Sequence, residues 1–246
     1  MVGQAIEAVA GRQMAPYATE DLWPSLPIIR VSNAHLAKNR VISAMRKDPA
    51  HVAIDMLRTQ MLKILKERGW KRVAITSPTE GCGKTFVASN LAISMARGES
   101  RRVVLMDMDL RKPSLASIFG VGNPPNMREY LSGLCLPEEF YLRVGQNLAL
   151  GLNATPEPSS AELILESTTR DVLSEMQELF QPDVVLFDLP PALTHDDVAA
   201  ILPHVDGVLL VVGGGITKAE EVLAVERMLG DETPLIAAIL NKSEGV

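Results

Sequence analysis

The chain has 246 residues, and 47% of them are hydrophobic, which is enough to bury one sizeable core, so a single α/β domain is expected. Its formal net charge of -6 argues against a dedicated nucleic-acid-binding protein, and we expect no nucleic-acid partner. The two cysteines and four histidines lack the spacings of a disulfide framework or a zinc site.

The first 47 residues differ from the rest of the chain by their weak periodicity. Prolines at positions 16, 24 and 27 interrupt any regular pattern in this stretch. We therefore expect residues 1–47 to form an extended or weakly ordered N-terminal arm and residues 48–246 to form the folded domain.

A helix is predicted to start at Asp48-Pro49, because aspartate caps helices and proline suits the first helical position. Gly69 is placed to end this helix. Thr217-x-x-Glu220 resembles a capping box before a later helix. Short apolar runs lie between the helical patterns, at 72–77, 103–107, 148–152, 184–188, 207–212 and 234–240. Apolar strands that alternate with helices indicate a mostly parallel sheet with helices on both faces.

The loop after the first of these strands is typical of a phosphate-binding turn. It contains Gly81-Cys82-Gly83-Lys84-Thr85 and leads directly into a helical pattern. Backbone N–H groups at such a turn and at the following helix N-terminus attract anions. The glycines let the backbone approach phosphate, the lysine can reach the β- and γ-phosphates, and the threonine can ligate Mg²⁺. Pro78 stands where the usual pattern has its first glycine, and a purely structural turn is the alternative.

Two further apolar runs end in carboxylates. The run at 103–107 delivers Asp107 and Asp109 to the carboxyl end of the sheet, where ligands bind in open α/β folds. The run at 184–188 delivers Asp188, and two prolines then stop the strand. Such carboxylates can hold Mg²⁺ or accept a proton from an attacking hydroxyl. Each could be a solvated turn in isolation, but the three motifs together favour a nucleotide site.

The three motifs, GCGKT, LMDMDLRKPS and LFDLPP, resemble the Walker A, A′ and B motifs of bacterial tyrosine kinases (BY-kinases). These are cytoplasmic P-loop enzymes associated with capsular and exopolysaccharide synthesis, and the likeness extends over about residues 50–242. The resemblance implies a SIMIBI-type P-loop NTPase fold, in which residues 48–246 form an α/β kinase or ATPase domain. It also implies ATP and Mg²⁺ as cofactors.

The resemblance implies a role for each matching residue. The ATP-binding residues would be Thr79, Glu80, Gly81, Cys82, Gly83, Lys84, Thr85, Phe86 and Asn241. The catalytic residues would be Lys84, Asp107 and Asp109, with one aspartate a candidate base and the other a metal ligand. The Mg²⁺ ligands would be Thr85, Asp107 and Asp188.

The chain departs from the family pattern in its phosphate loop and in one helix. Glu80 and Cys82 replace a proline and a glutamate of the family loop, and binding is expected to survive because main-chain amides do most of the work. The family's Glu-x-x-Arg-x-x-Arg, which is tied to ring assembly, becomes Val52, Asp55 and Arg58. Self-association into an oligomer is therefore left open.

A third departure concerns the phosphoryl acceptor. Family kinases end in a tyrosine cluster, whereas the tyrosines here are Tyr17, Tyr130 and Tyr141. Either the acceptor lies on another protein, or the chain is an ATP-binding regulator without kinase activity. A switch of the ParA/MinD class is the other alternative, although that class carries a second lysine where this chain has Thr79.

The resemblance also implies a cellular setting. The expected partner is a Wzz-like membrane polysaccharide co-polymerase, with which the chain would regulate capsular or exopolysaccharide synthesis and export. No N-terminal signal and no apolar run of membrane-spanning length is present in the sequence. We therefore expect a cytoplasmic protein that reaches the inner membrane through its partner.

Overall fold

The computed structural model describes residues 21–98, 100–231 and 233–243. These residues contain the strands β1 (Ile28–Ile29), β2 (Arg72–Thr76), β3 (Val103–Asp107), β4 (Leu142–Val144), β5 (Leu148–Gly151), β6 (Val184–Asp188), β7 (Gly207–Gly213) and β8 (Leu235–Asn241). They form one sheet in the order β1-β4-β5-β3-β6-β2-β7-β8. Six neighbouring strands pair in parallel, and their order across the sheet is β5-β3-β6-β2-β7-β8. Strand β4 is antiparallel to β5. The predicted mostly parallel sheet is confirmed.

Helices cover both faces of the sheet, so each face has its own apolar core. One face carries α1 (Asn33–Lys38), α2 (His51–Arg68), α3 (Lys84–Ala96) and α4 (Leu115–Phe119). The other face carries α5 (Met127–Leu131), α6 (Pro137–Phe140), α7 (Ser160–Leu165), α8 (Ser167–Phe180), α9 (Asp197–Ile201) and α10 (Ala219–Leu229). Side chains of β3 alternate between the two cores, because successive residues of a strand point to opposite faces. This explains why the strands read as continuous apolar runs.

The predicted strands are all present, with ends within one residue of those observed. The sequence did not predict β1 and β4. They have two and three residues, which is too short for a periodic signal.

The helix predicted to start at Asp48-Pro49 begins at His51. Asp48 caps the turn that precedes it, since its Oδ1 accepts the Ala50 N–H at 2.9 Å. The helix ends as predicted at Gly69, whose φ of 69° lies in the left-handed region that favours glycine. The predicted capping box at Thr217 is wrong. Residue Lys218 is the N-cap of α10, and Glu221 accepts its backbone N–H.

Residues 21–47 pack against the sheet, which differs from the expected extended or weakly ordered arm. Trp23 is 3% exposed, donates from Nε1 to the Gln146 carbonyl at 2.7 Å, and lies edge-on to Phe180. Asp21 forms a two-point ion pair with Arg102. Scattered prolines hid this packing because they interrupt helical and strand patterns without preventing burial. Residues 1–20 of the expected arm lie outside the described residues.

In the described ranges no helix is long and apolar enough to cross a membrane.

Candidate nucleotide-binding site

The phosphate loop connects β2 to α3 at the carboxyl edge of the parallel strands. Gly81 and Gly83 have φ values of 80° and 92°, a region that side chains with a Cβ rarely adopt. Gly83 is the N-cap of α3, and Lys84 and Thr85 form its first turn. The first N–H groups of a helix have no intrahelical acceptor and lie at the positive end of its dipole. The loop can therefore bind an anion through its backbone amides, the Lys84 ammonium group and the Thr85 hydroxyl.

Asn241 holds this loop from the end of β8. Its Nδ2 donates to the Cys82 carbonyl at 2.8 Å. A Cβ added to Gly83 would overlap the same amide group, so the close approach requires glycine. The contact of Asn241 with adenine stays a prediction, and the structure adds a contact with the loop.

A cavity of about 770 Å³ opens beside Asn241 and the start of α3. Its walls include the apolar side chains of Ile54, Leu57 and Phe86, and the Arg40 guanidinium lies 5.7 Å from the Phe86 ring centre. Mostly apolar cavities with a few polar groups suit flat heteroaromatic ligands. The cavity adjoins the phosphate loop through Gly83, so it is the candidate position for a nucleotide base.

The Cys82 side chain is buried beneath the loop rather than facing the phosphate position. Its Sγ lies 3.4 Å from Thr217 Oγ1 and 3.3 Å from the Thr79 carbonyl oxygen. Burial raises the pKa of this thiol, but hydrogen bonds with Thr217 and Thr79 outweigh it, so the pKa lies below its usual value. Thr217, read from the sequence as a helix cap, instead packs against the loop and accepts the Gly213 N–H.

Lys84 and Asp109 form a direct ion pair across the site. Lys84 Nζ lies 2.8 Å from Asp109 Oδ2, and both side chains are largely buried. Burial lowers the pKa of Lys84, but the carboxylates of Asp188 and Asp109 outweigh it and raise the pKa above its usual value. The lysine is therefore a fixed positive charge at the mouth of the phosphate loop.

Asp107 is fully buried at the end of β3 and is held from one side. Its Oδ2 accepts the backbone N–H groups of Ser114 and Leu115 at 2.9 and 2.8 Å, whereas Oδ1 has no hydrogen-bonding partner. Burial and the neighbouring Asp188 raise the pKa of Asp107 well above its usual range. A buried carboxylate with one free oxygen can serve as a proton acceptor or a metal ligand.

Asp188 lies beside Asp107, since β3 and β6 pair these two residues in register. Both carboxylate oxygens of Asp188 are buried, and neither has a hydrogen-bonding partner of ordinary geometry. Burial raises the pKa of Asp188 to about 6, while the Lys84 ammonium opposes this rise. The nearby Thr85 hydroxyl also lowers the pKa of Asp188, although no hydrogen bond of ordinary geometry joins the two side chains.

These residues fit a divalent cation held jointly with a nucleotide. Buried polar atoms normally have partners, so the free oxygens of Asp107 and Asp188 are suited to bind a cation. No group of three or more His, Cys, Asp or Glu side chains within 21–98, 100–231 and 233–243 could hold a metal alone. Mg²⁺ usually binds through one or two carboxylates together with water and substrate phosphates. Thr85, Asp107 and Asp188 would supply the protein's share.

Two ion pairs that the sequence did not predict fix the loop after β3. Lys112 Nζ lies 2.5 Å from Glu80 Oε1 and connects this loop with the phosphate loop. Arg111 Nε donates at 2.9 Å to Asp197, which is fully buried and also accepts a hydrogen bond from Ser160. The adjacent cations after the Asp-Met-Asp motif were a visible signal. Their partners lie 32 and 86 residues away, and no local pattern marks them.

Two of the three tyrosines lie in the core, remote from solvent. Tyr130 stacks on Phe140 at 4.1 Å between ring centres, and Tyr141 meets both rings edge-on. Both tyrosines are 0% exposed, and burial raises the pKa of each phenol above its usual value. Neither hydroxyl can reach an attacking position in the folded protein. Tyr17 lies outside the described residues.

The profile of the CobQ/CobB/MinD/ParA nucleotide binding domain matches residues 73–245. Tyrosine-protein kinase etk of Escherichia coli K12 is 31% identical over 198 residues, which cover 79% of this chain and 27% of that protein. Tyrosine-protein kinase YwqD of Bacillus subtilis is 29% identical over 187 residues, which cover 75% of this chain and 78% of YwqD.

The solved kinase domain of Escherichia coli tyrosine kinase ETK has the same fold. It superposes with a TM-score of 0.75 at 26% identity, covering 92% of this chain and 94% of that domain. The chain thus spans only 27% of the full-length etk protein while it matches nearly all of the solved kinase domain. The predicted P-loop fold and the resemblance to bacterial tyrosine kinases are confirmed. The chain belongs to the CobQ/CobB/MinD/ParA nucleotide-binding domain family, and tyrosine-protein kinases are among its relatives.

Proposed function

We propose that the chain binds Mg·ATP and transfers its γ-phosphoryl group to a tyrosine hydroxyl of another protein. The observation that carries this proposal is the cluster of one largely buried lysine and three buried carboxylates at the phosphate loop. Two of these carboxylates, Asp107 and Asp188, retain free oxygens that face no protein partner. The similarity to kinases named for tyrosine phosphorylation supports the choice of acceptor.

Each residue of the cluster has a role in this proposal. The loop amides and Lys84 would bind and orient the phosphates, and the oxygens of Thr85, Asp107 and Asp188 would hold Mg²⁺. Bound Mg²⁺ would neutralise charge on the phosphates. Asp109 accepts the proton of the attacking hydroxyl after Lys84 turns from it to the phosphates. Phosphoryl transfer depends mainly on positioning and charge neutralisation, so a rigid, buried cluster suits it.

The acceptor is proposed to lie on a partner because Tyr130 and Tyr141 are buried in the core. A cavity of about 220 Å³ beside Lys84 and Asp109 is bordered by Glu80, Arg111, Lys112 and His195. An acceptor tyrosine would enter here.

A nucleotide-dependent switch is the second candidate function. The matched family includes MinD and ParA, and a buried pair of phenols leaves water as the acceptor within the described chain. The position of the second lysine of that class is occupied by Thr79, whose carbonyl oxygen accepts from Ser77 and Cys82. This substitution favours the kinase over the switch.

The pathway is proposed from the resemblance alone. The chain would act in capsular or exopolysaccharide synthesis and export, with a Wzz-like membrane partner that brings it to the membrane. Co-purification of the two proteins would test this. We expect it to be lost when the partner's cytoplasmic segment is deleted. Polymer of unchanged length and amount in a strain without the chain would contradict it.

Incubation with γ-labelled ATP, Mg²⁺ and a copolymer of glutamate and tyrosine tests the kinase proposal. We expect acid-stable label on tyrosine that is lost in Asp109→Asn. Free phosphate without phosphotyrosine on the copolymer or a cognate partner would favour the switch. No binding of Mg·ATP by calorimetric titration would reject both functions.

A further inference from the structure

A continuous shallow groove follows α2 on the side away from the nucleotide site. It consists of three adjoining cavities of about 480, 520 and 300 Å³. The first two share Arg46, Arg58 and Thr59 in their walls. The second and third share Leu62 and Arg101. We call this surface the basic groove.

The basic groove carries an excess of positive charge although the whole chain has a net charge of -6. Its cationic residues are Arg46, Arg58, Lys66, Lys71, Arg97 and Arg101. The acidic residues in its described walls are Asp55 and Asp183. Asp183 keeps its negative charge and accepts the Arg102 backbone N–H on its Oδ2 at 2.8 Å, so the cations of the groove outnumber its carboxylates.

Asp55 alone serves three of the arginines. It lies 3.1 Å from Arg46 and 3.2 Å from both Arg58 and Arg97, and it also accepts from Ser94 Oγ at 2.5 Å. This arrangement joins α2 to α3 and to the segment before α2. A single carboxylate cannot neutralise three guanidinium groups, however, and the Arg46 side chain is 55% exposed. Further carboxylates could bind the same cations bidentately.

Apolar side chains accompany the cations at both ends of the groove. Val52 and Met56 are 52% and 61% exposed in the first cavity. Trp70 borders the third cavity, with the Arg68 guanidinium 5.1 Å from its ring centre. The 18 residues of α2 span about 27 Å, which about eight residues of extended chain would cover.

We propose that the basic groove binds an extended acidic segment of a partner polypeptide, with apolar side chains near the ends of that segment. Charge complementarity and the length of the groove favour this occupant. An anionic membrane is less suited, because the cations line a recess instead of a convex surface and the rest of the chain is acidic. The proposal does not depend on the nucleotide site.

Fluorescence anisotropy of a dye-labelled acidic peptide of about ten residues, with leucine near each end, tests this proposal. We expect the full chain to bind it and the affinity to fall as salt increases from low to physiological ionic strength. Lys66→Glu with Lys71→Glu should weaken binding about tenfold, and these side chains do not contact Asp55. Addition of Arg101→Glu should weaken binding further, and this side chain does not contact Asp55 either.

The matched control is Arg170→Glu with Arg227→Glu, which reverses two exposed charges on α8 and α10, on the opposite face of the sheet. Unchanged thermal unfolding establishes that each variant is folded. Equal weakening by the double control variant, or no binding of the peptide, would overturn the proposal. So would stronger binding to phosphatidylserine vesicles than to the peptide, or charge variants that only abolish self-association measured by sedimentation.

Discussion

At the residue scale, the unusual feature is a carboxylate buried without partners. Asp188 has both oxygens shielded from solvent, and burial raises its pKa to about 6. A group that is difficult to ionise in the folded state lowers stability unless a ligand compensates for it. We therefore expect the buried Asp188 carboxyl to lower the free energy of unfolding of the nucleotide-free protein at neutral pH.

We predict that Asp188→Asn stabilises the nucleotide-free protein at pH 7 by about 2 to 3 kcal/mol while abolishing Mg·ATP binding. The pKa of this carboxyl rises from 3.8 to about 6 on folding, so the folded protein retains a proton that the unfolded chain releases. The wild type consequently loses stability as the pH rises from about 4 to about 6. Urea unfolding at pH 4 and pH 7 measures this, with the exposed Asp171→Asn as control. A variant no more stable than wild type at pH 7 would contradict the prediction.

We predict that Lys84→Met weakens Mg·ATP binding at least about tenfold, because it removes the largely buried positive charge at the phosphate loop. Lys63→Met, on the exposed side of α2, should leave the affinity unchanged. Calorimetric titration of both variants checks this. Equal affinities would show that the loop amides bind ATP without the lysine.

At the element scale, the phosphate loop and the end of β8 are adjusted to each other. We predict that Gly83→Ala destabilises the protein by about 2 kcal/mol or more, because it combines a positive φ with an overlap against Asn241. Gly81→Ala has the same strained φ but open space around it, and should destabilise by about 1 kcal/mol.

A double-mutant cycle separates the two causes of the Gly83→Ala effect. Asn241→Ala removes the overlap, so part of the destabilisation should disappear in the double variant. Thermal unfolding of the four proteins measures the coupling. Strictly additive effects would contradict a direct contact between the two side chains.

The elements were predictable where each carried its own pattern. The strand ends at Asp107 and Asp188 could be placed from apolar runs followed by carboxylates, and the glycines located the phosphate loop. The pairing of Arg111 with Asp197 could not be, because it joins segments that only the fold brings together. The prediction of Thr217 as a helix cap is wrong because its spacing from Glu220 also suits a capping box. Its actual partners, Gly213 and Cys82, are brought to it by the fold.

At the scale of the whole molecule, residues 21–47 add the edge strand β1 to the sheet. β1 pairs with β4, and Trp23 enters the core from the same segment. We predict that Trp23→Ala destabilises the protein by about 3 to 5 kcal/mol, as expected for a large aromatic side chain lost from a core. Trp70→Ala, at a half-buried surface position, should have a smaller effect. Urea unfolding compares them, and equal effects would contradict the packing of this segment.

The order of the sheet was the part of the fold that the sequence left open. Apolar runs predicted strands, and their alternation with helices predicted parallel pairing. The addition of β4 and β1 at one edge depends on tertiary contacts of residues such as Trp23 and Leu26, both buried. Such contacts have no local signature in short, proline-rich segments.

The chemical reactivity of the two buried tyrosines should report whether the domain is folded. Tyr130 and Tyr141 are shielded by the aromatic side chains around them, so nitrating or iodinating reagents should leave both unlabelled until the domain opens. Peptide mapping by mass spectrometry after brief labelling would report this, and rapid modification of the native protein would contradict it. In a phosphorylation experiment, phosphate at either position would then identify unfolded material instead of a kinase product.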